Sequence, residues 1–158
     1  MAVRFDGPVP PSKQRYREIV RVRSYEPMLV ISLSEHIFSV FTHWHSGRSD
    51  RCTGDPASCP YCKDACPLRW RGYLHVSSPP NPDSFFLEFS ENCAQAIALA
   101  FADRLTLRGS MFRISKSKGG LRGRFKVDPM DRVIDSRGLP EAQTPQGTLE
   151  FLWSVRRS

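Results

Sequence analysis

The chain has no apolar run long enough to cross a bilayer. Its opening residues, Met1-Ala-Val-Arg-Phe-Asp-Gly-Pro8, lack the hydrophobic region of a secretory signal. Neither a membrane span nor export is therefore expected. Catalytic patterns are missing too: there is no His-Glu-x-x-His, no His-x-Glu and no His-Asn-His constellation. The acids Asp83, Glu88, Glu91, Asp103, Asp128, Asp131 and Asp135 are scattered and sit at turns, not gathered as a Mg²⁺ site requires. An enzyme is not expected. Acidic residues are also outnumbered, 16 against 23 basic ones, for a net charge of +7. Such an excess points to a polyanionic partner. Cysteines number five, an odd count mostly clustered, which suits a reducing, cytoplasmic setting better than a disulfide scaffold. At 158 residues the chain is long enough for one domain with a real core.

What the sequence does have is a cysteine loop. Cys52, Cys59, Cys62 and Cys66 fall within fifteen residues, and His43 and His45 stand just upstream. Cys59-Pro-Tyr-Cys62 is a two-residue-spaced pair on a Pro-containing turn, which lets both thiolates face one ion. Asp50, Arg51, Asp55 and Lys63 make the loop too polar for buried free thiols. The expected metal set is His43, Cys52, Cys59 and Cys62 around one structural zinc. His45 and Cys66 remain alternatives for the fourth position. His43 and His45 share a strand face, and His43 lies farther from the Ser46-Gly47 turn, on firmer backbone. A redox reading of the Cys-x-x-Cys pair needs a following helix in a βαβ unit, which is not foreseen here.

Taken in order, residues 1–14 read as a flexible arm, since Gly7-Pro-Val-Pro-Pro11 sustains neither helix nor strand. Residues 15–25 alternate basic and β-prone side chains and predict a strand. Met28–His45 is a long β-branched and aromatic run with a bend near Ser34-Glu35. Strands are also expected over 69–77 and 85–90, separated by Pro79-Pro-Asn-Pro-Asp83. Ser90 introduces a helix whose apolar face is Ala94, Ile97, Ala98, Phe101 and Leu105. Two further runs, 107–118 and 121–127, joined by Gly119-Gly120, predict a hairpin. One helix is too few for a parallel α/β sheet. The expected class is mainly β: a five-stranded OB-like Greek-key barrel over 15–130, with one helix and a zinc loop inserted at 43–66. Residues 131–158 form an extension whose Thr148–Val155 stretch predicts one more strand against the barrel.

Charge and aromatics are grouped. From Arg104 to Lys126 the chain carries eight basic residues and no acid: Arg104, Arg108, Arg113, Lys116, Lys118, Arg122, Arg124 and Lys126. A hairpin with one cationic face would track phosphates, with Phe112 among its contacts. Around the loop, Arg48, Arg51, Arg69 and Arg71 interleave with Trp44, Tyr61, Trp70 and Tyr73, the mixture of cations and rings that a single-strand groove uses. Trp70, between two arginines, is expected to be the exposed stacking residue; Trp44 and Tyr73 equally suit the core.

With this strand order and a His-Cys-Cys-Cys loop near the first strands, the chain resembles the zinc-containing single-stranded-DNA-binding proteins of tailed phages. Its His43-Trp-x-x-Gly-Arg48 approach and Arg69-Trp-x-Gly-Tyr73 exit are also similar to small uncharacterised proteins of phages and mobile elements. The likeness covers 16–128 in strand order and 43–73 in motif. It departs in a shorter loop and in an Arg156-Arg-Ser158 end where the phage proteins carry an acidic tail, so their tail-mediated recruitment is not expected here. The resemblance implies sequence-tolerant binding of single strands, with zinc ordering the binding region. Expected partners are single-stranded DNA, with RNA as the alternative, and further copies of the chain along a strand. The competing expectations are a zinc-stabilised adaptor for an acidic protein or structured RNA and, behind it, a nuclease or nuclease accessory.

Overall fold

A computed structural model describes residues 18–22, 26–80, 83–116 and 125–155. The 1–14 arm and the Gly119-Gly120 link lie outside these residues, as do Lys118, Arg122 and Arg124. Within the 15–25 stretch, Ile19–Arg21 forms a short strand, β1. The long β-branched run divides in two, Met28–Ser32 (β2) and Phe38–His45 (β3). The division falls at the expected bend. Both the Leu33 and Ser34 amides donate to the His75 carbonyl, at 2.8 and 3.3 Å. The His75 amide in turn donates to Ser34 Oγ at 2.8 Å. A serine hydroxyl thus replaces a ladder carbonyl, and the strand turns there without leaving a buried backbone group unpaired.

β3 folds back at once into Arg48–Arg51 (β4). Ser46 and Gly47 make the two-residue turn with φ of 46° and 75°, both left-handed, the geometry that matches strand twist and favours glycine. After a one-turn helix, Pro60–Lys63 (α1), the chain enters the longest strand, Leu68–Ser77 (β5). Ser84–Phe89 (β6) and the helix Glu91–Ala100 (α2) follow. The last strands are Ser110–Lys116 (β7) and Phe125–Val133 (β8).

β5 organises the sheet. One of its edges pairs antiparallel with β3, from His43↔Leu68 to Phe38↔Tyr73, and then with β2 at Ser32↔Val76. Its other edge pairs with β6. β2 continues to β7, and β7 to β8 by an antiparallel register that includes Lys116↔Phe125. β1 lies parallel to β6. The result is one mixed, open, mainly β sheet in the order β1-β6-β5-β2-β7-β8, with β3 and β4 off this path. Among the described residues eight strands therefore stand where a five-stranded barrel was expected. The long 28–45 run splits at Ser34, the short β1 inside the expected 15–25 strand joins the sheet beside β6, and β4 was not foreseen.

The inner face is apolar by strict alternation: Leu74 and Val76 of β5, Phe85, Leu87 and Phe89 of β6, and Phe112 and Ile114 of β7. Cys93 and Ile97 of α2, with Phe101 just past its end, close over them. Leu105, expected on the same helix face, lies beyond the helix and is 98 % exposed. Gly72 is required here. A Cβ at that position would lie 2.5 Å from Trp70 Cη2 and 2.6 Å from Phe89 Cε2. The indole fills the space above the glycine and packs on the core.

The strand expected at 148–155 is instead a helix, Gln146–Val155 (α3). Thr148 and Leu149 are buried within it, and the carbonyl of buried Pro145, just before it, accepts from the Leu149 amide at 2.9 Å, the four-residue bond of a helix and not of a strand. Among the described residues no helix is long and apolar enough to cross a membrane.

Candidate metal centre and the surface around it

Three turns of chain converge at the outer end of β3. β4 returns the backbone so that the Cys52 amide donates to the Phe41 carbonyl at 2.9 Å. Asp55 then shapes the loop: its carbonyl accepts from the Ser58 and Cys59 amides, and its Oδ1 accepts from the Ala57 amide at 3.0 Å. Cys59 occupies the N-cap of α1 with Pro60 as the first helical residue, which sets Cys62 one turn on. The helix that starts between the two cysteines and carries Cys62, not foreseen, is a single turn.

His43, Cys52, Cys59 and Cys62 meet there, their ligand atoms all within 4.8 Å of one another. Cys52 Sγ and Cys62 Sγ are 3.7 Å apart, and Cys62 Sγ is 3.3 Å from His43 Nε2. A tetrahedral ion with metal–sulfur bonds of about 2.3 Å and a metal–nitrogen bond of about 2.0 Å has edges of about 3.8 and 3.5 Å. The donor set and its spacing fit a metal ion. His43 is 1 % exposed, and its Nδ1–H donates to the Cys66 carbonyl at 3.0 Å. That bond fixes the tautomer and turns the Nε2 lone pair toward the sulfurs. The Gly54 amide points at Cys52 Sγ at 3.4 Å. Cys66 contributes its carbonyl, and its thiol is outside the cluster.

The thiols are electrically at odds without a cation. Backbone amides, first that of Thr53, pull Cys59 down to about 6. Burial and the neighbouring Cys52 and Cys59 sulfurs push Cys62 up to about 12. Several thiolates this close repel, and a bound dication removes the conflict.

His45 serves elsewhere. Its Nε2 lies 2.5 Å from Asp50 Oδ2, and its ring stacks on Tyr61 with centroids 4.2 Å apart. The Tyr61 hydroxyl donates to the same oxygen at 3.1 Å, and Arg48 Nε lies 3.2 Å from it. Burial opposes the charge on Asp50, but His45, Tyr61 and Arg48 outweigh it and hold the carboxyl below its usual range. This four-residue brace joins β3, β4 and α1 beside the cluster. Sequence reasoning missed it, although Tyr61 lies inside the Cys-x-x-Cys pair.

Comparison of the chain with protein-family models, with curated proteins and with solved structures finds no match.

Of the residues expected to touch nucleic acid, Trp44 is 41 % exposed, and the Arg69 guanidinium lies 5.5 Å from its ring centre. Thr42 pairs with both Arg51 and Arg69, and Val40 with Arg71, so these arginines share the face of Trp44. Arg51 and Arg69 are exposed; Arg71 is half-buried. Arg48 is tied to Asp50. Four expectations are corrected. Trp70 is no exposed platform, because Gly72 lets it lie on Phe89 with centroids 6.4 Å apart. Tyr73 is buried, its hydroxyl donating to Glu88 Oε2 at 2.8 Å. Phe112 is wholly enclosed in the core. Arg108 spends its guanidinium on the carbonyls of Leu33, Ser136, Leu139 and Pro140, at 2.7 to 3.1 Å, and anchors the extension.

The hairpin face is also less cationic than expected. β8 runs on to Val133 and sets Asp128 opposite the exposed Arg113, and Lys126 Nζ lies 3.5 Å from that carboxylate. Lys116 is half-buried at the strand end. Phe41 and Leu68, 53 % and 55 % exposed, are apolar surface that strand alternation alone would have assigned to the core.

Proposed function

We propose that this chain is a non-enzymatic, single-stranded nucleic-acid-binding protein, with DNA ahead of RNA, whose binding surface is ordered by one structural zinc. Three thiolates and an imidazole are a donor set that selects zinc over magnesium or calcium. Four protein ligands complete a tetrahedron and leave no open position for substrate, so the ion's contribution is to hold β3, β4 and the 52–66 loop as one body. Thiolates persist best in a reducing, cytoplasmic compartment.

The observation that carries the reading is Trp44: an exposed indole beneath Arg69, on the strand face that also bears Arg51 and Arg71. Bases stack on such a ring, while guanidinium groups follow the phosphates. The strand order supports an OB-type plan, with β2 and β3 as one bent first strand, then β5, β6, α2, β7 and β8. On this reading the likeness to the zinc-containing single-strand binders of phages extends to function.

A salt-titrated binding assay with oligo-dT, oligo-U and duplex DNA tests it. Oligo-dT should bind best, and Trp44→Ala should weaken binding by roughly 1–3 kcal/mol with little change in salt slope. Duplex binding as tight as single-strand binding would overturn the reading.

One observation favours a second reading, a zinc-stabilised adaptor for an acidic protein or structured RNA. Phe41 and Leu68 lie on the face opposite Trp44, and paired exposed apolar side chains on a rigid tip suit a protein contact. If Phe41→Ser and Leu68→Ser leave oligo-dT binding intact while Trp44→Ala has no effect, the adaptor moves ahead.

A further inference from the structure

Among the described residues the two ends of the sheet, β1 and β8, do not pair with each other. Between them opens a cleft of about 320 Å³, whose polar lining is Arg21, Arg71, Glu88, Ser90 and Lys116. Three cations here face a single carboxylate. Both oxygens of that carboxylate are engaged: Glu88 Oε1 accepts from Arg21 Nε at 2.5 Å, and Oε2 accepts from the Tyr73 hydroxyl at 2.8 Å. Arg71 and Lys116 therefore stand as excess positive charge, and among the described residues neither forms an ion pair. Their charges come from strands on opposite sides of the seam, β5 and β7. Lys116 belongs to the inward-facing set of its strand, two residues on from buried Ile114, so its ammonium is directed to the cleft mouth and not along the outer face. Ser90 completes the lining; it is the N-cap of α2, and its hydroxyl makes no capping bond.

We infer that this cleft is a phosphate-binding subsite, in which Arg71 and Lys116 clamp a phosphate of a bound nucleic-acid strand from the two sides of the open seam. The inference rests on the nucleic-acid reading above and deepens it by giving the strand a path from Trp44 past Arg69 and Arg71 to the seam. Arg71 is the link, since it borders both the stacking face and the cleft. Arg21 acts differently, neutralising Glu88, which would otherwise repel the phosphate. Ser90 Oγ is placed to donate to a phosphate oxygen.

The test uses the full chain, zinc-loaded, and the double variant Arg71→Gln/Lys116→Gln. Oligo-dT binding across a salt series should lose about 1.4 from its log–log slope, two contacts at about 0.7 each. Fluorescence quenching at saturation should be unchanged, since Trp44 is untouched. The charge-keeping pair Arg71→Lys/Lys116→Arg should restore the slope. If the double variant melts early, Lys116→Gln alone should lose about 0.7. An unchanged slope in a folded variant overturns the proposal, as does failure of the charge-keeping pair to restore it. A gain in affinity from a 5′-phosphate, absent in the double variant, would assign the cleft to strand ends; equal affinity would assign it to phosphodiesters within the strand. If wild type binds no oligonucleotide, the function proposed above fails, and pyrophosphate decides the cleft separately. Amide shifts at residues 88–92 that the double variant abolishes support the cleft, and an unresponsive spectrum refutes it.

Discussion

His43 and His45 stand two residues apart on one strand and do different work, which a pair of alanine substitutions should expose. In His45→Ala the metal ligands are untouched. What is lost is one partner of Asp50, a carboxylate with no exposed surface, which keeps Tyr61 at 3.1 Å and Arg48 at 3.2 Å. Weakening a buried acceptor in this way costs about 1–3 kcal/mol. At about 2–4 °C per kcal/mol for a chain of this size, Tm should fall by roughly 2–12 °C. Zinc content should stay near one per chain. In His43→Ala the nitrogen ligand itself goes, and the Cys66 carbonyl loses its donor. Metal binding to the native state stabilises by about 4 kcal/mol when free metal exceeds Kd by a thousandfold. The variant should forfeit that, melt with little response to added zinc, and contain almost none after dialysis against a mild chelator. Metal analysis and thermal melts with and without chelator read both effects. If His45→Ala loses the metal while His43→Ala retains it, the assignment of the two rings is wrong. If well-folded wild type contains no metal, the centre itself is wrong.

Trp70→Ala should act on stability, not on stacking: a half-buried ring resting on Phe89 is worth about 3 kcal/mol, the low end for removing a core tryptophan. Urea melts should show the loss, and a folded variant with weakened oligo-dT binding and an unchanged midpoint would restore Trp70 as a stacking residue. Arg108→Met should loosen the extension without touching the metal, because four carbonyls lose a charged donor. The expected cost is about 3 kcal/mol, with faster protease cleavage between residues 134 and 145. Unchanged cleavage would show that the extension is held by α3 alone.

The candidate metal cluster was legible because its information is local. Cys59-Pro-Tyr-Cys62 carries its geometry in four residues, and strand parity and one turn place Cys52 and a histidine nearby. The sequence favoured His43 over His45 by its distance from the turn, but the physical reason is tertiary: Tyr61 and Asp50 converge on His45 from α1 and β4, and the Cys66 carbonyl returns from beyond the loop to orient His43. The mainly β class, the bend at Ser34 and the helix after Ser90 followed from alternation and capping. The strand count did not, since β4 is short and exists only by pairing with β3. The tail was misread because Thr148–Val155 is rich in strand formers, and the helical spacing of Pro145, Thr148 and Leu149 has meaning only once a surface lies beneath them. Least legible was which aromatics and cations face water. Trp70 and Trp44 both stand beside basic residues in the sequence, yet one lies over a glycine on the core and the other lies outside under Arg69. Arg108 reads as one more cation in an acid-free run, and only the returning chain, with four carbonyls in reach, makes it an anchor. Local order is written residue by residue; exposure is decided by what the rest of the chain lays across each side chain.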